Sequence, residues 1–447
     1  MTLSGFYLLF AAILVILLGE WMTRVIGPLR RSHIPPPVVS GLLVALLVLG
    51  GNEFGWFALS FDAKVGYRWW TWLVLPEVDW WTTPAPKVDV HQPLLIAFFT
   101  CIGLNASWNV AKKGSWQLLI YLVIATVFAA AQNGLGVVLA KMLGENPLLG
   151  LLCSGVSLMG GFGTAAGFAG EFEKAGLAGA AVIGTAAAAF GVVSGSLIGG
   201  PVGRHLVSKY VRRRVGFPVM AAVGSGGAAI VDHSTLAEDA REAEEVAEHD
   251  TFFKEIRSLV GMAPKALLHL VILLLCIKAG AWVYYAMKSA GLTFPVYIGA
   301  MIVGVVLRNI IDLLPRPFIE SDTVDKLASV CLSWMLAVII MSLKLTELVH
   351  SAAPMLIILV VQVIFMVAFA YWIVFRLMGR DYEAATMSVG MIGFGLGATS
   401  NAVATMKQMT KAYGPAPRAF LIVTVVGAFL IDFTNSIIIT GFMNVLK

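Results

Sequence analysis

The chain has 447 residues, of which 59% are hydrophobic and 13% charged, about half the charged share of a soluble domain. That balance excludes an ordinary soluble enzyme. The 31 basic and 26 acidic side chains leave a net charge of only +5, spread too thinly to form a face that would neutralise phosphates, so no nucleic-acid partner is expected.

The composition points to an all-α integral membrane protein, because a bilayer-spanning helix needs roughly 20 mainly apolar residues. Ten segments meet that requirement, over residues 4–27, 35–52, 92–110, 115–141, 178–209, 264–287, 294–313, 326–345, 353–378 and 416–445. Two further apolar stretches, 147–170 and 384–409, are broken by glycines and hydroxyl residues. Such interruptions suit re-entrant hairpins buried in protein better than lipid-facing helices. Between the second and third spans, residues 53–91 hold Trp56, Trp69, Trp70, Trp72, Trp80 and Trp81 and are expected to lie along the membrane interface. Residues 210–262 break the apolar pattern with a basic triplet, a glycine cluster and an acidic run from Glu238 to Asp250, as a solvated connector does.

Basic residues beside the spans set orientation. Arg24, Arg30, Arg31, Lys112, Lys113, Arg204, Lys209, Arg212, Arg213, Arg214, Arg308, Arg316, Arg376, Arg380, Lys411 and Arg418 fall on one side if the N-terminus starts outside. Both termini and the Trp-rich loop are then predicted outside, and 210–262 in the cytoplasm.

The chain also resembles itself. Pro37-Val38-Val39-Ser40-Gly41 matches Pro295-Val296-Tyr297-Ile298-Gly299, and Gly161-Phe162-Gly163 matches Gly395-Leu396-Gly397. Each half orders four spans, a glycine-broken hairpin and a last span. Five spans per half is an odd number, so the second copy inserts upside down and the hairpins enter from opposite faces. The divisions are a first inverted repeat over 1–209, the cytoplasmic linker 210–262 and a second repeat over 263–447.

A broken helix exposes chemistry. Its restarted half offers free amide donors and a positive dipole end to an anion, while unwound carbonyls and hydroxyls suit a small hard cation. The candidate substrate-binding residues are therefore Ser157, Gly160, Gly161, Phe162, Gly163 and Thr164 in the first hairpin, with Gly393, Gly395, Gly397, Thr399, Ser400 and Asn401 in the second. Asp432, near the middle of the last span, needs a cation, a proton or a polar partner. Asn435 follows at i+3, and together with the carbonyls of Gly395 and Gly397 these side chains form a candidate sodium site. Gln132, Asn133 and Gln362 occupy comparable depths in the two halves as supporting polar groups. Gly191, Gly195, Gly199 and Gly203 recur every four residues and predict a smooth packing ridge.

The run Gly393-Phe394-Gly395-Leu396-Gly397-Ala398-Thr399, the segment Val426-Gly427-Ala428-Phe429 with Asp432 and Asn435, and the segments Ile102-Gly103-Leu104-Asn105, Gln132-Asn133 and Gly199-Gly200-Pro201 together resemble the bacterial sodium/glutamate symporter family. The likeness spans nearly the whole chain outside the Trp-rich loop and parts of the linker. It implies a homodimer in the bacterial inner membrane that imports L-glutamate with co-transported sodium, built from inverted five-span repeats with re-entrant hairpins. Related folds move by an elevator. One departure stands out: where the family reads Ser-Gly-Gly-His-Gly-Thr-Gly, this chain reads Met159-Gly160-Gly161-Phe162-Gly163-Thr164-Ala165. An aromatic ring replaces a polar one, which is expected to bear on which small carboxylate is accepted.

The rival readings are a passive channel and a membrane enzyme. The sequence carries no His-Glu-x-x-His, Gly-x-Ser-x-Gly or phosphate-loop motif, and a ring-type filter is normally assembled from several identical subunits. Neither accounts for paired broken hairpins in one chain.

Overall fold

The computed structural model describes residues 2–26, 34–56, 59–75, 86–108, 116–211, 252–290, 294–314, 318–343, 351–397 and 399–446, and the statements below concern these. A short strand β1 (Thr2–Ser4) leads into α1 (Phe6–Val25) and α2 (Pro36–Glu53). The Trp-rich loop then forms β2 (Ser60–Asp62), β3 (Lys64–Val65), the short helix α3 (Arg68–Val74) and β4 (Val88–Asp89). Next come α4 (Gln92–Asn105), α5 (Trp116–Met142), α6 (Pro147–Met159), α7 (Gly161–Lys174) and α8 (Ala180–Tyr210).

The second half opens with α9 (Phe252–Gly261), then α10 (Ala263–Ser289), α11 (Tyr297–Ile311), α12 (Ser321–Met341) and α13 (Ala352–Leu377). It closes with α14 (Tyr382–Gly395), α15 (Thr399–Tyr413), α16 (Pro417–Val425) and α17 (Ile431–Leu446). Proline stands in the first turn of α2, α4, α6, α10 and α16. Its fixed φ and missing N–H cost nothing there, so each proline marks a start.

Seven of these helices, α1, α2, α5, α8, α10, α12 and α13, are long and apolar enough to cross a membrane. The other predicted spans differ in length for local reasons. Helices α4 and α11 have 14 and 15 residues. Both end in one polar junction, where Arg308 Nε meets Asp312 Oδ1 at 3.0 Å, Asn309 Nδ2 donates to the Ala106 carbonyl at 2.9 Å, and Ser107 bonds Asp312. The last predicted span is interrupted by a π turn over Val426–Leu430, which separates α16 from α17.

Two loop regions carry more structure than the sequence suggests. β1 pairs in parallel with β2, Leu3 opposite Phe61, and β3 pairs antiparallel with β4, Val65 opposite Val88. These pairings fold the Trp-rich loop back over the start of α1, where Phe6 stacks on Trp69 at 5.6 Å and meets Trp70 edge-on. Trp70 is thus buried, while Trp56 stays exposed; Trp80 and Trp81 lie outside the described residues. Lys278 of α10 clamps the loop, donating to the Trp72 carbonyl at 2.6 Å with its ammonium 4.4 Å from the Trp72 ring centroid. At the far end of the linker, α9 seats Phe252 and Leu259 in the core, and the Phe252 amide donates to Glu20 Oε1 at 2.6 Å. Glu20 also faces Arg24 at 3.7 Å, the pairing that their i+4 spacing allows.

The helices sort into two packed groups. One contains α1, α2, α4, α10, α11 and α12; the other contains α5 to α8 and α13 to α17. Within the second group the glycine ridge of α8 receives α14 and α15. A Cβ on Gly191 would lie 2.2 Å from the Leu396 carbonyl oxygen, one on Gly195 2.8 Å from Asn401 Nδ2, and one on Gly203 2.4 Å from Val389 Cγ2. Packing is therefore what this ridge does. Gly191→Ala is expected to overpack the contact and destabilise by about 1–3 kcal/mol, read as aggregation at lower temperature in detergent; an unchanged melting profile would contradict it.

Candidate functional site

The two glycine-broken segments meet. α7 begins at Gly161, whose φ of +63° is in the left-handed region, where only glycine is unstrained. A Cβ there would lie 2.7 Å from the carbonyl oxygen of Gly397, in the turn between α14 and α15. Gly160 caps α7 without a side-chain hydrogen bond, so the first amides of α7 keep their donor capacity. On the other arm, Gly393 lets α14 pass close to α15, a Cβ there falling 2.3 Å from Ala402 Cα.

The first segment actually breaks earlier than its glycines indicate. Ser154 has φ −119° and ψ −127° inside the turn over Leu152–Met159, and its hydroxyl donates to the Gly150 carbonyl at 2.6 Å. Around this kink the intramembrane amides form one network. Gln362 Nε2 of α13 donates to Ser154 Oγ at 2.7 Å and to the Gln132 carbonyl at 2.9 Å. Gln132 Nε2 of α5 donates to the Gly395 carbonyl at 3.3 Å. The Gly155 amide donates to Asn133 Oδ1 at 2.9 Å, and Asn435 Nδ2 donates to the Gly155 carbonyl at 2.8 Å. Each glutamine thus reaches from its own half to the broken segment of the other.

What the network leaves over is informative. Gln132 Oε1, Gln362 Oε1, Asn435 Oδ1 and Ser157 Oγ are buried without a hydrogen-bond partner, as is the single donor Asn133 Nδ2. Leaving a buried polar atom unpaired costs about 1–3 kcal/mol, so these carbonyl and hydroxyl oxygens are candidates for contact with a bound cation or substrate. Hard oxygen donors suit an alkali cation. Among the described residues no group of three or more His, Cys, Asp or Glu is placed to hold a metal ion.

Asp432 stands in the first turn of α17 and is half-buried, whereas Asn435 is 1% exposed. Among the described residues the Asp432 carboxylate has no hydrogen-bond or ion-pair partner. The structure ties Asn435 to Gly155 of the first broken segment rather than to Gly395 of the second. Tyr297, which enters the sequence reading only within a repeat motif, stacks its ring on Phe99 at 3.8 Å and is 1% exposed.

The remaining candidates divide by whether their polar atoms are already committed. Asn401 Oδ1 accepts from Ser196 at 2.6 Å and its Nδ2 donates to the Val192 carbonyl at 3.2 Å, so it fastens α15 to α8. Thr399 donates to the Gly427 carbonyl at 2.5 Å. Thr164 and Phe162 are buried on α7, Gly163 meets the Phe98 ring, and the Gly395 position faces Met366 Cε. The Ser400 side chain lies outside the described residues. Ser154 and Gly155 carry more of the network than the glycines beside them, and no local signal announces this, because their partners are more than 200 residues away or on another helix.

Comparison with known proteins gives one consistent result. The sodium/glutamate symporter family model matches residues 1–69, 72–217 and 222–415. A sodium/glutamate symporter of Haemophilus influenzae is 34% identical over 438 residues, covering 97% of this chain and 96% of that protein. One from Escherichia coli is 35% identical over 433 residues, covering 96% and 95%.

Proposed function

The chain belongs to the sodium/glutamate symporter family, and from that premise we propose that it is a multi-pass transporter that imports L-glutamate coupled to sodium. The observation that carries this reading is the pair of broken helices meeting at Gly161 and Gly397, bordered by buried oxygens with no partner. Glutamate offers carboxylates to the uncapped amides at the start of α7, and its charge complements the positive end of that helix. Sodium is held by Asp432 and Asn435 Oδ1 with the unwound carbonyls of Gly395 and Gly397, and the free oxygens of Gln132 and Gln362 are available to it. A cation on Asp432 removes the repulsion that a bare carboxylate exerts on the substrate's own. By linkage, each ligand then raises the affinity for the other.

We read the architecture as ten spans in two inverted repeats with re-entrant hairpins. The reciprocal glutamine bonds, each crossing to the opposite half, are what such symmetry produces. The second helix group, which holds both hairpins, is the moving body of an elevator, and the first is its frame. Both termini lie outside the inner membrane, the linker lies in the cytoplasm, and two copies form a homodimer.

The binding reading is tested on purified protein by thermal stability with glutamate in sodium or in potassium. Stabilisation by glutamate in sodium alone is expected; equal stabilisation in both salts would contradict coupling. Phe162 gives a second handle. It occupies the family's histidine position, and a site that can hydrogen-bond its substrate discriminates more strongly than an apolar one. Phe162→His is expected to raise selectivity for glutamate over other small dicarboxylates by roughly tenfold. An unchanged competition profile would remove Phe162 from the substrate's surroundings.

A further inference from the structure

Helices α8 and α13 pack against each other, and both lose their α-helical regularity at one common corner. A π turn over Val207–Val211 closes α8, and another over Ala370–Val374 interrupts α13. Such turns are uncommon and gather at functional sites. They bring Lys209, Tyr210 and Tyr371 together: Lys209 Nζ donates to the Tyr371 hydroxyl at 3.3 Å, the two tyrosine hydroxyls bond each other at 3.2 Å, and the ammonium lies 5.4 and 5.9 Å from the Tyr210 and Tyr371 ring centroids. The His205 ring stands 5.9 Å from that of Tyr371.

This chain of hydrogen bonds ends in donors. Lys209 uses one of its three ammonium N–H groups, and whichever way the two hydroxyls rotate, one O–H proton is left over. No carboxylate answers them. Among the described residues Arg204, Lys209, Arg376 and Arg380 are exposed and form no ion pair, and Asp381, next after Arg380, is held by Arg418 at 2.7 Å. The bordering surface is apolar, with Trp372 56% and Leu377 60% exposed. A tryptophan beside basic residues at the end of a long apolar helix marks the level of the lipid headgroups. The basic-residue asymmetry places this end in the cytoplasm, where the facing leaflet is anionic.

We propose that this corner binds the headgroup of an anionic phospholipid: Lys209 and the remaining tyrosine hydroxyl donate to its phosphate oxygens, Arg204 and Arg376 add positive charge, and Trp372 and Leu377 lie along its acyl chains. The headgroup ties the end of α8 to α13 and so stabilises the helix group that holds both broken segments. The site is separate from the groups assigned to glutamate and sodium, and it stands whether or not those assignments hold.

The test is the melting temperature of the purified full chain in detergent with phosphatidylcholine, as phosphatidylglycerol is titrated in. A saturable rise is expected for the parent. In Lys209→Gln the mole fraction at half-effect is expected to increase about fivefold, the worth of one basic residue at an anionic surface, and Lys209→Arg should restore most of the response. Tyr371→Phe keeps the ring contacts and breaks the hydrogen-bond chain; it should move the midpoint the same way, and it serves if Lys209→Gln fails to fold. Arg257→Gln, at an exposed position of α9, should leave the midpoint where it is. A shift there as large as that of Lys209→Gln would reduce the effect to general surface charge and overturn the site. Parent-like midpoints in Lys209→Gln and Tyr371→Phe would overturn it as well, and equal stabilisation by inorganic phosphate would overturn the lipid assignment. Stabilisation by glutamate with sodium is expected to persist in both variants, so failure of the lipid site and failure of the transport reading are seen separately.

Discussion

Asp432→Asn is expected to raise the sodium concentration needed for half-maximal uptake by at least about 30-fold, because removing one member of a buried charge pair costs on the order of 2–5 kcal/mol. The substitution keeps the shape of the side chain and deletes its charge. The carboxylate has no compensating partner among the described residues, so the amide relieves a cost in the cation-free protein. Thermal stability in sodium-free buffer should therefore be equal or higher, while the stabilisation that sodium confers on the parent is lost. A structural carboxylate would give the reverse pattern, with destabilisation in every buffer and a preserved sodium response. Melting curves with and without sodium, run beside the uptake titration, distinguish the two.

Gly161→Ala is expected to reduce glutamate uptake by at least about tenfold, since a displacement on the order of 1 Å at a binding constellation can cost that much or more. The position has φ +63°, which costs an L residue about 1–2 kcal/mol. A Cβ would also press on the Gly397 carbonyl oxygen at 2.7 Å. Relief requires the start of α7 to move away from the turn before α15. Gly170→Ala on the same helix is the control, because a Cβ there meets nothing within 4 Å and alanine is the better helix former by about 1 kcal/mol. Equal activity of the two variants would mean that the tips do not shape the site.

These contrasts track what sequence can and cannot disclose. Hydropathy located the helices well, since a run of apolar residues bounded by proline or basic residues has few alternatives. Helices α5, α8 and α10 lie within two residues of their predicted segments, while α12 starts five residues earlier than predicted. Glycine spacing pointed to both broken segments and the ridge on α8, because close backbone approach leaves its mark on composition, but the first segment kinks at Ser154, ahead of its glycines. Pairings between distant residues left no such mark. β1 joins β2 across the whole of α1 and α2, and three-residue strands have too little periodicity to recognise. Ser154 at the kink accepts a hydrogen bond from Gln362, more than 200 residues later in the chain, and a serine inside an apolar run gives no warning of that pairing. Tyr297 reads as an unremarkable repeat position, and only the fold shows its ring filling the notch at Gly167.

The central claim, concentrative transport driven by sodium, is tested most directly by reconstituting the purified protein in liposomes and following radiolabelled glutamate under an inward sodium gradient. The expected result is a transient accumulation inside above the outside concentration, abolished when the gradient is collapsed with a sodium ionophore or when potassium replaces sodium. Entry that only equilibrates glutamate, at the same rate in either salt, would contradict the account and identify the protein as a passive pathway.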